Sequence, residues 1–230
     1  MMKKRFLSVL AAGLFILTIA GLANAALITI GTATYNGTDY NLIYDADGPL
    51  DPVTWLDYSH PQQPWKDQII WAATLGDKLT VTLNPGYTTS LSWLVGWRLP
   101  SAGENPHYGY NQITSEMGHL YYTELGNLGY YDTSGNYQSG YGLNNTGDFD
   151  NLNAYWHWSG TEYADGLAGA WYFDVDNGVQ GDDYEDCNGY GLAVRSGKVS
   201  AVPVPGAIWL FGSGMAGMVA LGRRRKGNSV

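Results

Sequence analysis

Residues 27–44 read LITIGTATYNGTDYNLIY, two runs rich in Ile, Thr and Tyr on either side of Asn36-Gly37. Asn-Gly between β-prone runs is the strongest short-range hairpin signal, because the tight hairpin turn needs positive φ at both central residues. The pattern predicts strands over Leu27–Tyr35 and Thr38–Tyr44. Beyond the hairpin, Val53-Thr54-Trp55-Leu56 reads as a further short strand. Lys78–Leu83 and Thr88–Val95 read as a second hairpin about Asn84-Pro85-Gly86. Tyr155–Ser159, Ala170–Val175, Val179–Tyr184 and Tyr190–Arg195 read as late strands, with Asn177-Gly178 turning the middle pair. Two helices interrupt the strands. Pro64–Leu75 has Pro at the first helical position and Trp65, Ile69, Ala72 and Ala73 on one face. Ser115–Leu125 has Thr114 or Ser115 as cap, Glu116 in its first turn and Gly126 at its end, with Met117, Leu120, Tyr121 and Leu125 as the buried stripe. Residues 127–153, rich in Gly, Asn and Tyr, read as a long loop. Many strands with two helices make the class α+β, and no repeat of solenoid length is present.

Composition agrees. Of 230 residues, 31 are Gly, 18 Tyr and 9 Trp, and only 14% are charged, which excludes a disordered polyelectrolyte and a helical bundle. The charge is unevenly placed. Lys3, Lys4 and Arg5 open the chain and Arg223, Arg224, Arg225 and Lys226 close it, so the stretch between holds five cations against 21 carboxylates, a net charge of −16. Such a surface repels phosphate backbones, and nucleic acid is excluded as a partner. The one cysteine, Cys187, rules out an intrachain disulfide.

The two ends read as addresses. Residues 1–25 carry the basic start, the apolar stretch Leu7–Leu22 and the small-x-small site Ala23-Asn24-Ala25 of a secretory signal peptide, with the mature chain expected to begin at Ala26. At the other end Val202-Pro203-Val204-Pro205-Gly206 is a stiff break. Gly206–Gly222 is 17 uncharged residues, and the Arg-rich run follows at once. Seventeen helical residues span about 26 Å, workable for a membrane core, and the basic run belongs on the cytoplasmic side. This tripartite tail resembles a PEP-CTERM sorting signal in its V-P-x-P variant, Val204 standing where the namesake motif has Glu. The resemblance implies an exosortase as partner, a Gram-negative host that makes exopolysaccharide, an inner-membrane-anchored precursor and final release to the envelope surface or matrix. A plain stop-transfer helix is the other reading.

Between the ends, over roughly residues 40–197, several phrases stand together: Leu42-Ile43-Tyr44-Asp45 with Thr54-Trp55-Leu56-Asp57, Trp71-Ala72, Gly96-Trp97-Arg98-Leu99-Pro100, Ser115-Glu116-Met117-Gly118-His119-Leu120-Tyr121-Tyr122, Trp158-Ser159-Gly160-Thr161-Glu162, Ala170-Trp171 and Ala193-Val194-Arg195. Together they resemble the C-terminal domain of collagen-like adhesins, the Lcl C-terminal domain. The resemblance implies a C-type-lectin-like fold over residues 26–200, related to formylglycine-generating enzymes, and a non-catalytic role in adhesion or polysaccharide contact. Arg98 and Arg195 are expected to sit among Trp residues, each paired with a carboxylate such as Asp57 or Glu162, since a buried guanidinium must be paired; a ligand clamp is the alternative role.

Candidate chemistry is thin outside binding. Asp45-Ala46-Asp47-Gly48-Pro49-Leu50-Asp51 has the D-x-D-G spacing of a calcium turn but lacks the later bidentate Glu, and Asp with Gly in a hairpin turn accounts for it. Asp182, Asp183, Glu185 and Asp186 form an acidic knot, read either as a hard-cation site for calcium or as a solvated loop. His60, His107, His119 and His157 hold no zinc spacing, and His119 reads as a packed or surface residue. No nucleophile elbow is present, Cys187 alone cannot supply the cysteine pair of formylglycine-generating relatives, and Glu116 with Glu124 is generic helix spacing, so no enzyme is expected. Trp156 and Trp158 alternate with Tyr155 and His157, so one face of that strand is expected to be core and the other free. Tyr130, Tyr131, Tyr137 and Tyr141, with Tyr108 and Tyr110, stand among Asn, Gly and Asp. With Trp156 they suit sugar stacking, or else form ordinary polar loops. Three functions follow: a polysaccharide-binding surface protein, a structural matrix protein without a specific ligand, or a secreted glycan-active enzyme.

Overall fold

The computed structural model describes residues 27–89, 96–164 and 168–201. The signal-peptide reading, with Ala23 and Ala25, and the sorting segment from Val202 onward lie outside them. Strands β1 (Ile28–Tyr35) and β2 (Thr38–Asp45) form the expected hairpin, with Tyr35 opposite Thr38. Asn36 and Gly37 take φ of 49° and 82°, the left-handed pair that this turn demands. β3 (Val53–Gln63) is longer than the four residues expected. Helix α1 (Trp65–Lys78) follows, with Pro64 just ahead of its first turn, and then β4 (Thr80–Leu83) and β5 (Tyr87–Thr89).

Among the described residues the expected second hairpin does not form, and residues 90–95 of its second arm lie outside them. β4 returns to β1, with Gly31 opposite Leu83, and β5 pairs with β10 (Val199–Ala201), Thr88 opposite Ser200. The later strands are β6 (Trp156–Glu162), β7 (Gly169–Asp174), β8 (Val179–Tyr184) and β9 (Gly189–Ser196). Eight strands make one open sheet in the order β4-β1-β2-β3-β9-β6-β7-β8. Every neighbour pair is antiparallel except β6 with β9, so β9 joins the early strands to the late ones. The result is a strand-rich α+β fold. Among the described residues no helix is long and apolar enough to cross a membrane.

The sheet is buried on both faces. Along β2 and β9 successive side chains alternate, so Leu42, Tyr44 and Ala193 join one core while Ile43, Leu192 and Val194 join the other. This is why these strands read as nearly unbroken apolar runs. Trp71, Ala72 and Leu75 of α1 cover the first face, with Trp97, Leu99 and Trp158. Met117, Leu120, Tyr121 and Leu125 cover the second. They come from α2 (Glu116–His119), which runs directly into a wider π-type turn over Leu120–Glu124. Ser115 caps α2, its Oγ accepting from Gly118 N at 3.1 Å. Each fully buried Leu or Ile contributes about 2 kcal/mol.

Two buried polar side chains, Gln68 and Asp57, are matched and tie elements together. Gln68 of α1 donates from Nε2 to Pro61 O and Gly189 O, and accepts from His60 Nδ1 at 2.8 Å, tying the helix to β3 and β9. Asp57 accepts from Asp150 N, Asn151 N and Asn151 Nδ2 at 2.9–3.1 Å. Burial pushes its carboxyl up against the pull of those donors. The clamp holds the 143–153 segment down and seats Phe149 edge-on to Trp55.

Candidate functional site

Arg98 does not pair with Asp57 or Glu162. Its guanidinium grips Glu116, Nη1 to Oε2 and Nη2 to Oε1, each at 2.7 Å. Glu116 is fully buried and also accepts from Ser101 N, so both carboxylate oxygens are engaged in holding α2 to the Trp97–Pro100 segment. Arg195 lies over the Trp97 ring, 5.9 Å from its centroid. Burial lowers the pKa of Arg195. Trp97, Arg98, Leu99, Pro100, Trp158, Ser159 and Gly160 thus belong largely to packing: Gly160 N bonds Pro100 O at 2.7 Å, and Ser159 O accepts from the Trp65 indole.

The Tyr155 and His157 side of β6, expected to be free, is covered at His157, while Tyr155 just ahead of the strand stays 45% exposed. His157 and Trp158 are both fully buried, on opposite faces. Trp156 is half-buried against Trp158 and Tyr172, at 4.8 and 5.1 Å between ring centroids, and is not among the rings gathered around Tyr130.

The loop tyrosines do come together. Tyr131 and Tyr137 face each other across a short antiparallel bridge. The turn between them is built on Asp132, whose Oδ1 accepts from Ser134 N and Asn136 N at 2.8 Å, an Asx-type device. These donors hold the Asp132 carboxyl below its usual range. Asn side chains replace missing backbone partners along the rest of the loop. Asn127 Oδ1 accepts from Asn144 N and Asn145 N, and Asn145 Nδ2 donates to Leu125 O. Asn111, with φ of 61°, donates to Tyr131 O and ties in the 107–112 segment. Gly109 bridges that segment to Gln180 of β8.

Tyr130 is the hub. Its ring centroid lies 4.8 Å from Tyr131, 5.0 Å from Tyr137, 4.7 Å from Tyr141 and 6.4 Å from Tyr110, the first three edge to face. Such geometry is the favourable one for quadrupolar rings. Tyr131 and Tyr137 remain 39% and 57% exposed, so aromatic surface is offered to solvent from a framework of fixed hydrogen bonds. Beside them opens a depression of about 580 Å³ lined by Tyr110, Asn111, Tyr131, Asp132, Thr133 and Gly135. Sequence pattern found the rings but not Asn111 or Asp132, whose roles depend on loop geometry.

The acidic knot does not converge. Glu185 takes Lys66 Nζ at 2.7 Å. Asp183 Oδ1 accepts from Tyr184 N and lies 3.5 Å from Cys187 Sγ. Asp182 and Asp183 line a dent of about 170 Å³, and Asp186 is exposed. Among the described residues one group of three possible metal ligands gathers, and it lies elsewhere: Asp45, His119 and Glu124. Compared with protein families, curated proteins and solved structures, the chain matches none.

Proposed function

We propose that this chain is an exported, exosortase-processed protein of the cell surface or extracellular matrix, and that its α+β domain binds polysaccharide through the tyrosine face without catalysis. The observation that carries the reading is the group of four rings around Tyr130, two of them well exposed beside Asn111, Asp132 and Thr133. Flat rings stack on the C–H faces of sugars, and amide, carboxylate and hydroxyl groups at their rim bond sugar hydroxyls. The net negative charge of the domain favours neutral polymers over acidic ones. The resemblance of the Trp97–Pro100 and Trp158–Thr161 phrases to the adhesin domain supports the same role, and with it a C-type-lectin-like fold. The signal-peptide and PEP-CTERM readings of the ends supply the route outward: secretion, a membrane-anchored precursor, then release.

The test is a panel of neutral and acidic polysaccharides, including exopolysaccharide of the producing cell, offered to the full-length protein. Saturable binding to a neutral polymer, weakened in Tyr131→Ala, is the expected result. Failure to bind any polymer would leave a structural matrix role.

A further inference from the structure

Asp45 ends β2 on the face covered by α2, where it is 99% buried, with 1% of its surface exposed. The D-x-D-G turn orients it, since Asp47 N donates to Oδ1 at 3.1 Å. Oδ2 is buried and has no hydrogen-bond partner. The Trp55 indole N–H lies close enough to favour the charged carboxylate but does not meet hydrogen-bond geometry. A buried carboxylate oxygen left in this way is costly unless something positive completes it.

Two further ligand groups converge on that carboxylate from the helix opposite. One ring nitrogen of His119, one carboxylate oxygen of Glu124 and one of Asp45 all lie within 4.8 Å of one another. His119 Nε2 is 3.2 Å from Glu124 Oε1, yet Nε2 too is buried without a hydrogen bond. The pair is thus close but not aligned as donor and acceptor. Around a tetrahedral cation with bonds of about 2.0 Å, neighbouring ligand atoms stand about 3.3 Å apart. His119 and Glu124 are five residues apart, and in an α-helix that spacing turns them about 140° away from each other. Here the turn widens, with Leu125 N bonding Leu120 O at 2.9 Å, and the fifth residue comes round to the same face. Single π-turns of this kind are frequent at functional sites.

We infer that Asp45 Oδ2, His119 Nε2 and Glu124 Oε1 form a three-ligand site for a first-row divalent cation of the Zn²⁺ class. An imidazole with two carboxylates suits such a cation, whereas Ca²⁺ and Mg²⁺ take oxygen ligands in greater number. Asp47, exposed at the same turn and electrostatically coupled to both Asp45 and Glu124, adds negative potential at the mouth. The site stands apart from the acidic knot at Asp182–Asp186 and is independent of the polysaccharide reading.

The test is Zn²⁺ titration of untagged, chelator-stripped full-length protein, with bound metal counted after dialysis. One Zn²⁺ per chain is expected, undisturbed by excess Ca²⁺. Glu124→Gln and His119→Gln are each expected to weaken it at least tenfold, while Asp182→Asn leaves it unchanged. Circular dichroism of each variant separates lost binding from lost fold, and Co²⁺ absorption of the wild type reports the His and carboxylate ligand field without any substitution. Absence of stoichiometric metal in the wild type overturns the inference. So does unchanged affinity in folded Glu124→Gln and His119→Gln.

Discussion

Arg98 and Glu116, 18 positions apart, face each other as two parallel hydrogen bonds of 2.7 Å, with the carboxylate fully buried. Ser196 Oγ takes a further N–H of the same guanidinium at 2.9 Å, so the pair links the Trp97–Pro100 segment, α2 and the end of β9. Removing only the arginine strands a buried charge. Arg98→Met is expected to cost about 3 kcal/mol, the low end for a broken buried pair because the guanidinium itself is partly exposed. Replacing both partners, Arg98→Met with Glu116→Met, is expected to recover much of that loss. Urea unfolding of the double-mutant cycle measures it, and additive losses would contradict the pairing.

His157 supplies a pH dependence. Nδ1–H donates to Tyr155 O, and with the ring neutral Nε2 accepts from Ser59 O–H, whose Oγ accepts from Asn153 N. Burial pushes its pKa down to about 4. The unfolded chain, with a histidine pKa of about 6.5, binds this proton first. Stability from this group is therefore complete above about pH 6.5 and is lost as pH falls toward 4, by about 3 kcal/mol. Buried carboxyls such as Asp57, pushed upward, act in the opposite sense. The clean readout is the difference between wild type and His157→Asn across that window, where parallel curves would contradict the assignment.

Gly118 sits inside α2, where Gly→Ala ordinarily stabilises by about 1 kcal/mol. Here an added Cβ would run into the backbone oxygen of Gln112 and stand 2.7 Å from Ser115 Oγ, the cap itself. Overpacking against backbone costs about 1–3 kcal/mol, so Gly118→Ala is expected to destabilise despite its helical position. Thermal melting decides the sign.

The tyrosine face divides by exposure. Tyr137, the most open of the rings, keeps two ring neighbours but more than half its surface in solvent, so Tyr137→Ala is expected to lower the melting temperature less than Tyr130→Ala while costing about 1 kcal/mol of polysaccharide binding. Tyr130 touches four rings, and Tyr130→Ala is expected to lower both. Melting curves and binding isotherms on both variants make the comparison.

What the sequence made legible follows from what is local. The Asn36-Gly37 hairpin, β8 over Val179–Tyr184 and the buried stripe Met117, Leu120, Tyr121 and Leu125 come from short-range period and turn chemistry. Pairings at long range do not show. β5 resembles a hairpin partner for β4 until Val199–Ala201 outcompetes it from more than 100 residues away. The partner of Arg98 was hidden for the same reason. β6 read as half-exposed because alternation distinguishes two faces but not whether both are covered. Asp45, His119 and Glu124 are separated by 74 residues and by a widened turn that no helix period announces. The tyrosines were visible as composition, and their convergence on Tyr130 was not.

The central claim is that the ring group around Tyr130 binds a polysaccharide. Calorimetric titration of a neutral exopolysaccharide into the full-length protein, beside the Tyr131→Ala/Tyr137→Ala double variant, tests it most directly. A saturable heat is expected for the wild type, with an affinity about tenfold or more weaker for a double variant that melts at the same temperature, tenfold being about 1.4 kcal/mol. Equal affinities in the two proteins, or no saturable heat with any polymer, would contradict it.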